Sequence, residues 1–531
     1  MTTSVFFSNM AWVFLFANWV LSWNWREKFS DFRHNRPLHA ILAVAGVTLI
    51  WSIGTRDLSH TLYVLQIGLP FLAIPLVVLT SKPLDRREGL CVAACYVAGV
   101  FAMTIVGLVR YLTIPDLPYR DIVPHISHIR FGLHLCFCIV LLLVSDLTHS
   151  SVSKADCSPN LGEQPEIHLV SDSASNRGSH SSPKLGEVVR RTGGVCLVLW
   201  FLFFIFLIHA YTSIIILLVL ALVMPLACWR RLAPKVRWLA LSAGVAAWLA
   251  IGGATLYYHH EYYTLRTPST DAVRPPLTAN GNPYLHRQDG LIENGNYVHQ
   301  YVCEQEMREQ WRKLSDYPFD SLTPVGYTVY PALLRYLNAI GATKDSLGMT
   351  HLTPDDVAAI EHGVANPVYL QRDPRKLFYV LFYEYENYRC FRSVSNFSTL
   401  QRLELWRAGW TMHRRAPLLG YGTGGIQQAL QDELRKTQSP LAGSNFHLHN
   451  QYLTFLVAFG WVGLLIIAFF FVRCLRQFSI LNSQFSILLA HIVIVLVSFM
   501  ADNTLATLAG ITFVTLPFSL LIRNEELGMR N

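Results

Sequence analysis

Three stretches of the chain set histidines and arginines at the ends of long apolar runs, where few side chains can do chemistry. The first, Ser444–Gly463, reads Ser-Asn-Phe-His-Leu-His-Asn-Gln-Tyr-Leu-Thr-Phe-Leu-Val-Ala-Phe-Gly-Trp-Val-Gly. His447, His449 and Asn450 stand where the apolar run begins. Gly460 and Gly463 follow in the same predicted helix, about 16 and 21 Å deeper at 1.5 Å per residue. Small residues at that depth let a neighbouring helix come close. A histidine at the mouth of a packed bundle suits proton transfer near neutral pH. The alternative is an interfacial histidine that only anchors a helix end.

The second stretch runs from Ser395 to Gly424. Leu403, Trp406 and Trp410 repeat at helical spacing, and Arg402 and Trp406 share a face four residues apart. Pro417 ends this helix, and Leu418-Leu419-Gly420-Tyr421-Gly422-Thr423-Gly424 follows. Glycines there are able to bring backbone N–H groups close to a phosphate. No strand precedes them, so a dinucleotide-binding reading fails its own context. Arg402 is either an anion ligand or the partner of a nearby acid. The third stretch, His125-Ile126-Ser127-His128-Ile129-Arg130-Phe131-Gly132, opens another apolar run. Arg130 either grips a phosphate at the membrane surface or snorkels to the interface.

The elements that hold these groups follow from composition. Of 531 residues, 52% are apolar and only 15% charged, against about 25% charged in soluble domains, and the mean hydropathy is +0.32. Apolar runs of about 20 residues, the length that crosses a bilayer, recur at Ser4–Trp23, Leu38–Gly54, Thr61–Thr80, Gly89–Leu112, Phe131–Val144, Val195–His209, Ser213–Trp229, Trp238–Tyr257, Tyr452–Val472, Phe485–Met500 and Leu505–Ile522. This excludes a soluble enzyme and a coiled coil. It also excludes a β-barrel, whose strands alternate. The expected fold is an all-α polytopic membrane protein with about eleven transmembrane helices.

Basic clusters follow the first, third, seventh and ninth runs, precede the sixth, and return at Arg523 after the last. They fall on alternate loops, which the positive-inside rule assigns to the cytoplasm; Arg110 and Arg120 are the exceptions. The N-terminus is then external and the C-terminus cytoplasmic. The net charge of +8 is mostly topogenic and is not a nucleic-acid footprint. The chain divides into helices 1–5 (residues 1–149), a disordered cytoplasmic loop rich in Ser, Pro and Asn (150–194), helices 6–8 (195–257), a mainly helical extracytoplasmic domain (258–449), and helices 9–11 with a short tail (450–531). Within the large external segment, Thr353-Pro354-Asp355-Asp356 predicts a capped helix through Glu361, and Tyr330–Ala339 a second, amphipathic one. Of ten cysteines, Cys303 and Cys390 are external, either bridged in an oxidising compartment or two free thiols. No spacing resembles a zinc site, and the first run lacks a cleavage site, so it is kept as a span.

The topology puts Arg130, Arg402 and His449 on the external face at or just above the bilayer. Two cations and a base there suit chemistry on a lipid-linked anion. His449-Asn450 followed by Gly460-x-x-Gly463, with Arg402…Trp406…Pro417-Leu-Leu-Gly-Tyr-Gly-Thr-Gly upstream, is similar to the hallmark segment of the O-antigen ligase and O-antigen polymerase family. The resemblance implies an inverting, metal-independent, cofactor-free glycosyltransferase of the GT-C type at the bacterial inner membrane. It would move a glycan from undecaprenyl pyrophosphate to the hydroxyl of a glycolipid or glycan acceptor. It further implies that His449 is the base, that Arg402 and Arg130 bind the pyrophosphate, and that Trp406, Asn450 and His447 contact substrate. The chain departs from the family in having one span fewer than is usual, so a further leading helix is expected. It also lacks an arginine in Leu207–Ser213. A reporter fused after Arg231 should read cytoplasmic and one within Gly281–Gly295 external; the opposite pattern would invert the topology.

Overall fold

The computed structural model describes residues 5–55, 57–115, 117–155, 183–227, 234–265, 275–288, 290–324, 326, 328–371, 375–392, 394, 398–475 and 483–528. Most of the loop expected to be disordered, residues 156–182, lies outside them. Most of the described residues lie in helices. In chain order these are α1 (Val5–Leu21), α2 (Trp25–His34), α3 (Arg36–Ile50), α4 (Leu58–Leu79), α5 (Arg86–Thr113), α6 (His128–Ala155), α7 (Pro183–Leu207), α8 (Tyr211–Ala227) and α9 (Pro234–Tyr263). A two-stranded hairpin, β1 (Ile292–Glu293) and β2 (Asn296–Tyr297), precedes α10 (Glu304–Leu314), α11 (Val329–Ala339), α12 (Ser346–Met349), α13 (Pro354–Glu361) and α14 (Arg375–Phe391). The chain ends with α15 (Ser398–Arg415), α16 (Ile426–Lys436), α17 (Gln451–Leu475), α18 (Ser483–Ala501) and α19 (Leu508–Gly528).

Each apolar run read from the sequence falls on one of these helices. Among the described residues, Leu58–Leu79, Arg87–Thr113, Pro234–Tyr263 and Gln451–Arg473 are long and apolar enough to cross a membrane, and seven further apolar helices are shorter. α6 continues to Ala155 and α7 starts at Pro183, inside the stretch expected to lack structure.

The chain forms two compact units. The first comprises Met1–Val245, Leu405–Thr437 and Gly443–Asn531. Its core is built where α5, α6, α7, α8, α18 and α19 meet, around Phe131, Phe201, Phe204, Ile216, Ile494 and Phe513. The same helices leave large apolar side chains such as Leu112, Phe206 and Leu496 exposed, as does α17 at Leu465. Helices apolar on all sides suit hydrocarbon and not water.

The feature that organises this unit is a break in α17. Gly460 has φ 60° and ψ −166°, outside the helical region. Val457 O and Ala458 O therefore lose their helical donors, and the amides of Trp461 and Val462 lose their acceptors. The loop after α15 replaces all four bonds. Tyr421 N donates to Val457 O at 2.9 Å and Gly422 N to Ala458 O at 2.9 Å. Trp461 N donates to Pro417 O at 2.9 Å and Val462 N to Leu418 O at 3.1 Å. A close neighbour at Gly460 is thus present, but it is a loop and not the helix expected there. A Cβ on Gly460 would lie 2.2 Å from Leu418 O. The same loop caps α3: Thr423 N donates to Trp51 O at 3.0 Å and Thr423 Oγ1 to Thr48 O at 2.6 Å. At Gly463, α3 comes close through Val47, 3.3 Å from an added Cβ.

The second unit comprises Ala246–Glu404 and Gln438–Ala442. Its core gathers Met307, Trp311, Leu333, Tyr336, Leu337 and Ile360. α13 opens with a capping box of Thr353 and Asp356 and a proline in its first turn, and α11 carries the amphipathic stretch. β1 pairs antiparallel with β2 across Asn294-Gly295, Ile292 opposite Tyr297 and Glu293 opposite Asn296. The hairpin presents Glu293 to the interior, fully buried, where Arg335 donates through Nε at 2.8 Å and Nη2 at 3.1 Å, and Asn366 Nδ2 at 3.0 Å. Cys303 and Cys390 are separate thiols and not a bridge. Cys303 precedes α10 and donates its amide to Lys344 O, and Cys390 Sγ lies 3.7 Å from Glu386 Oε1.

Gly460→Ala should destabilise the first unit by at least about 2 kcal/mol, from left-handed strain and collision with the loop. Gly99→Ala in α5, with nothing within 4 Å, should be neutral or stabilising. Thermal midpoints of the two purified variants check this; equal values would remove the break as an organising constraint.

Candidate functional site

His449 and Arg130 meet at a third residue, Asp502. Asp502 follows α18 in the short turn before the 3-10 segment Thr504–Ala506. Arg130 Nη2 lies 2.9 Å from Asp502 Oδ2. His449 Nδ1 lies 3.6 Å from Asp502 Oδ1, longer than a hydrogen bond but in the loose range that unliganded catalytic groups often show. One carboxylate thus faces a guanidinium with one oxygen and an imidazole with the other.

Local structure fixes each member. Arg130 is the third residue of α6. His449 sits just before α17 with φ 50°, a left-handed conformation costing about 1–3 kcal/mol that persists only where surroundings enforce it. Asn450 supplies the cap: its Oδ1 accepts from Leu453 N at 3.0 Å. The turn bearing Asp502 is clamped to the first turns of α17. Thr454 Oγ1 donates to Asn503 Oδ1 at 3.0 Å, and Leu505 N donates to Gln451 Oε1 at 3.1 Å. From the other side, Gln427 and Gln431 on α16 hold the segment leading to His449. Gln431 bonds Ser444 O and Gly443 N, and Gln427 Nε2 donates to Phe446 O at 3.2 Å. α15 comes close as well: a Cβ on Gly409 would lie 2.8 Å from both Leu448 and Leu453.

Burial raises the Asp502 carboxyl, but the His449 imidazole and Arg130 guanidinium outweigh it and hold the group below the ordinary carboxylate range. Asp502 is therefore ionised at neutral pH. Its stabilising contribution is present above the usual carboxylate value and is lost only as pH falls through the lowered one. His447 lines the adjoining space with Nδ1 3.1 Å from Gln427 Oε1. Burial, then the neighbouring His449 and His60, keep its imidazole below the ordinary value, so it is neutral at pH 7 and acts through hydrogen bonds.

Beside these residues lies a cavity of about 290 Å³. His60, Gln427, His447, Gln451 and Asn503 give it a polar region; the rest is mainly apolar, most of it from α3, α4 and α17 with Ile426 and Leu430 of α16 and Ile511 of α19. Along α4 it extends from His60 to Leu72, about 18 Å at 1.5 Å per residue.

Of the other residues singled out, Trp406 in α15 has Nε1 buried with no acceptor among the described residues. Arg402 belongs to the second unit. The Gly420–Gly424 run is no phosphate cradle. The amides of Gly420, Tyr421, Gly422 and Thr423 donate to Ala416, Val457, Ala458 and Trp51 carbonyls, and an added Cβ on Gly424 would lie 1.9 Å from Thr61 Oγ1. Asp502 is the residue that sequence reasoning passes over. Its signal is slight, a lone acid in the Ala501–Thr504 turn. Among the described residues no group of three or more His, Cys, Asp or Glu side chains is arranged as a metal site.

Residues 377–468 match the O-antigen ligase family. The match takes in Arg402, Trp406, the loop that fills the α17 break, His449, Asn450, Gly460 and Gly463, and leaves out Arg130 and Asp502. It supports activity broadly of the O-antigen ligase or polymerase type in a multi-pass membrane protein. A comparison with curated proteins gave no match.

Asp502→Ala should lower stability by about 3–5 kcal/mol, because Arg130, mostly buried, is left without its counter-charge. The double variant Arg130→Met with Asp502→Ala should recover most of that loss. Thermal unfolding of wild type, Asp502→Ala, Arg130→Met and the double variant tests the coupling; additive losses would show that the pair is not one unit.

Proposed function

We propose that this chain is an inner-membrane glycosyltransferase that moves an undecaprenyl-pyrophosphate-linked glycan to an acceptor hydroxyl on the extracytoplasmic face. The observation that carries the reading is the His449–Asp502–Arg130 arrangement within and beside a segment matching O-antigen ligases. A carboxylate facing Nδ1 favours the proton there and leaves the Nε2 lone pair free. His449 Nε2 then takes the acceptor proton as the acceptor oxygen attacks the anomeric carbon. The bond from that carbon to the phosphate oxygen breaks on the opposite side, and the electron pair leaves with the pyrophosphate, inverting the centre.

Charge grows on the leaving group during this step, and fixed cations stabilise it without reorganisation. Arg402 takes that role from the family resemblance. Arg130 is engaged by Asp502, so its part is to set the field around His449 and, through its remaining N–H groups, to meet the anion. The cavity beside His447 suits the hydrocarbon of a lipid-linked substrate, with its polar region toward the headgroup. A transporter of a lipid-linked oligosaccharide or anion is the second reading, because broken helices mark transporter sites. It is weakened by the break itself, where Val457, Ala458, Trp461 and Val462 are all bonded to protein and none is left for a solute.

Ligation to a glycolipid core and polymerisation of repeat units differ only in the acceptor. His449→Ala should reduce transfer by about 10²–10⁴-fold, the range of general-base catalysis, with the protein still in the membrane, and excess chelator should leave wild-type transfer intact. Normal surface glycan in the His449→Ala strain would overturn the assignment, and loss on chelation restored by a divalent ion would overturn metal independence.

A further inference from the structure

From His60, beside the candidate cavity, to Thr80 is about 30 Å along α4 at 1.5 Å per residue, the thickness of a hydrocarbon core. At that far end Trp19 Nε1 donates to Thr80 Oγ1 at 2.9 Å, which joins the end of α1 to the end of α4. The short helix α2 starts here, and its inward side is bonded down. Lys28 is buried against the rings of Trp19 and Trp25, each 4.7 Å away, and donates to Trp19 O and, at 2.7 Å, to Ser22 Oγ. Asp31 accepts from Arg523, whose Nε also donates to Ser81 O at 2.8 Å. α2 is therefore fixed at the level where α4 and α19 leave their apolar runs.

The outward side carries two kinds of group. Trp25 and Phe29, one turn apart, are exposed, as is Trp23 just before the helix; Trp23 is 81% and Phe29 62% accessible. Arg33 continues their line and lies over the Phe29 ring at 5.6 Å, Arg26 follows Trp25, and Arg36 opens α3. All three arginines are exposed, and among the described residues no acid pairs with them. Asp31 is held by Arg523, and Glu27 accepts from Asn24 Nδ2 at 3.2 Å. Water suits the guanidiniums but leaves three large rings uncovered. A second copy of the chain, docked face to face, would cover the rings but set like charges against each other. An acidic lipid surface suits both. Such rings settle at the boundary of headgroup and acyl chain, and guanidiniums within a turn of them then lie at the depth of the phosphates, which they bond bidentately. The exposed apolar surface of α1, at Val13, Phe14 and Leu21, leads into this face. We propose that α2 is a membrane-surface helix that binds acidic phospholipid headgroups in the leaflet on the side expected to be cytoplasmic. The proposal is independent of the chemistry assigned to His449.

The test uses the full chain in phosphatidylcholine nanodiscs carrying a trace of photoactivatable phosphatidylglycerol or, in parallel, of the matching phosphatidylcholine analogue. Peptide mass spectrometry maps the adducts. Phosphatidylglycerol should label Trp23–Arg36 at least about fivefold more than phosphatidylcholine, the preference that even one arginine near an acidic surface supplies. The triple variant Arg26→Gln, Arg33→Gln and Arg36→Gln, all at exposed positions, should erase that preference with an unchanged thermal midpoint. Trp23→Ala with Phe29→Ala should lower labelling by both analogues, because the helix then sits less deeply. Unlabelled phosphatidylglycerol should compete, and inorganic phosphate should not. Equal labelling of the wild type by the two analogues, a preference that survives in the triple variant, or competition by inorganic phosphate would overturn the proposal. So would a dimer in the wild-type particle that Trp23→Ala with Phe29→Ala dissociates.

Discussion

Inside a bilayer a backbone N–H or C=O has no water to turn to, so every such group needs a protein partner. α17 meets that constraint in an unusual way. It is interrupted at Gly460, within its apolar run, and the four groups released are taken up by Pro417, Leu418, Tyr421 and Gly422. Because the loop is bonded on both sides of the break, it fixes the end of α15 against the middle of α17. Through Thr423 it fixes the end of α3 as well. The three helices are held by backbone hydrogen bonds of fixed geometry and not only by apolar contact, which alone would permit sliding. The position of His449 just ahead of α17 follows from this frame.

Charge completes what the frame begins. Asp502 is ionised because a guanidinium and an imidazole face it, and its turn is tied to α17 by side chains of Gln451 and Thr454. Separate elements therefore converge: α6 brings Arg130, the turn after α18 brings Asp502, and the segment held by α16 brings His447 and His449. The strained φ of His449 is consistent with a side chain placed for its direction and held by its surroundings. In the second unit the same logic operates around Glu293, a buried carboxylate held by Arg335 and Asn366, which joins the hairpin to α11 without taking part in the proposed chemistry.

Much of the helical framework was legible, because the length and polarity of an apolar run and the caps at its ends are local properties. The helix opened by Thr353-Pro354 and the helix carrying Trp406 and Trp410 are where the spacing predicts them. His449 and Asn450 could be singled out because they interrupt apolar sequence where polarity is costly. The glycine-rich run shows where local reading stops. Glycines that free backbone N–H groups look alike in sequence whether the partner is a phosphate or the carbonyls of a broken helix. The helix break itself is hidden for the same reason, since Gly460 in an apolar run reads equally as a packing residue or as a hinge.

By itself, then, the sequence determined a chain of apolar helices, and a histidine and arginines standing at the ends of its apolar runs. Those follow from transfer free energies of single segments, which depend on neighbours in the chain. The tertiary structure alone decided that Arg130 and His449 share Asp502, that the glycine-rich loop closes a helix and binds no phosphate, and that Cys303 and Cys390 stay apart. Each of these depends on distances between residues far apart in sequence. Such distances are set by packing and hydrogen-bond closure, which no local pattern encodes.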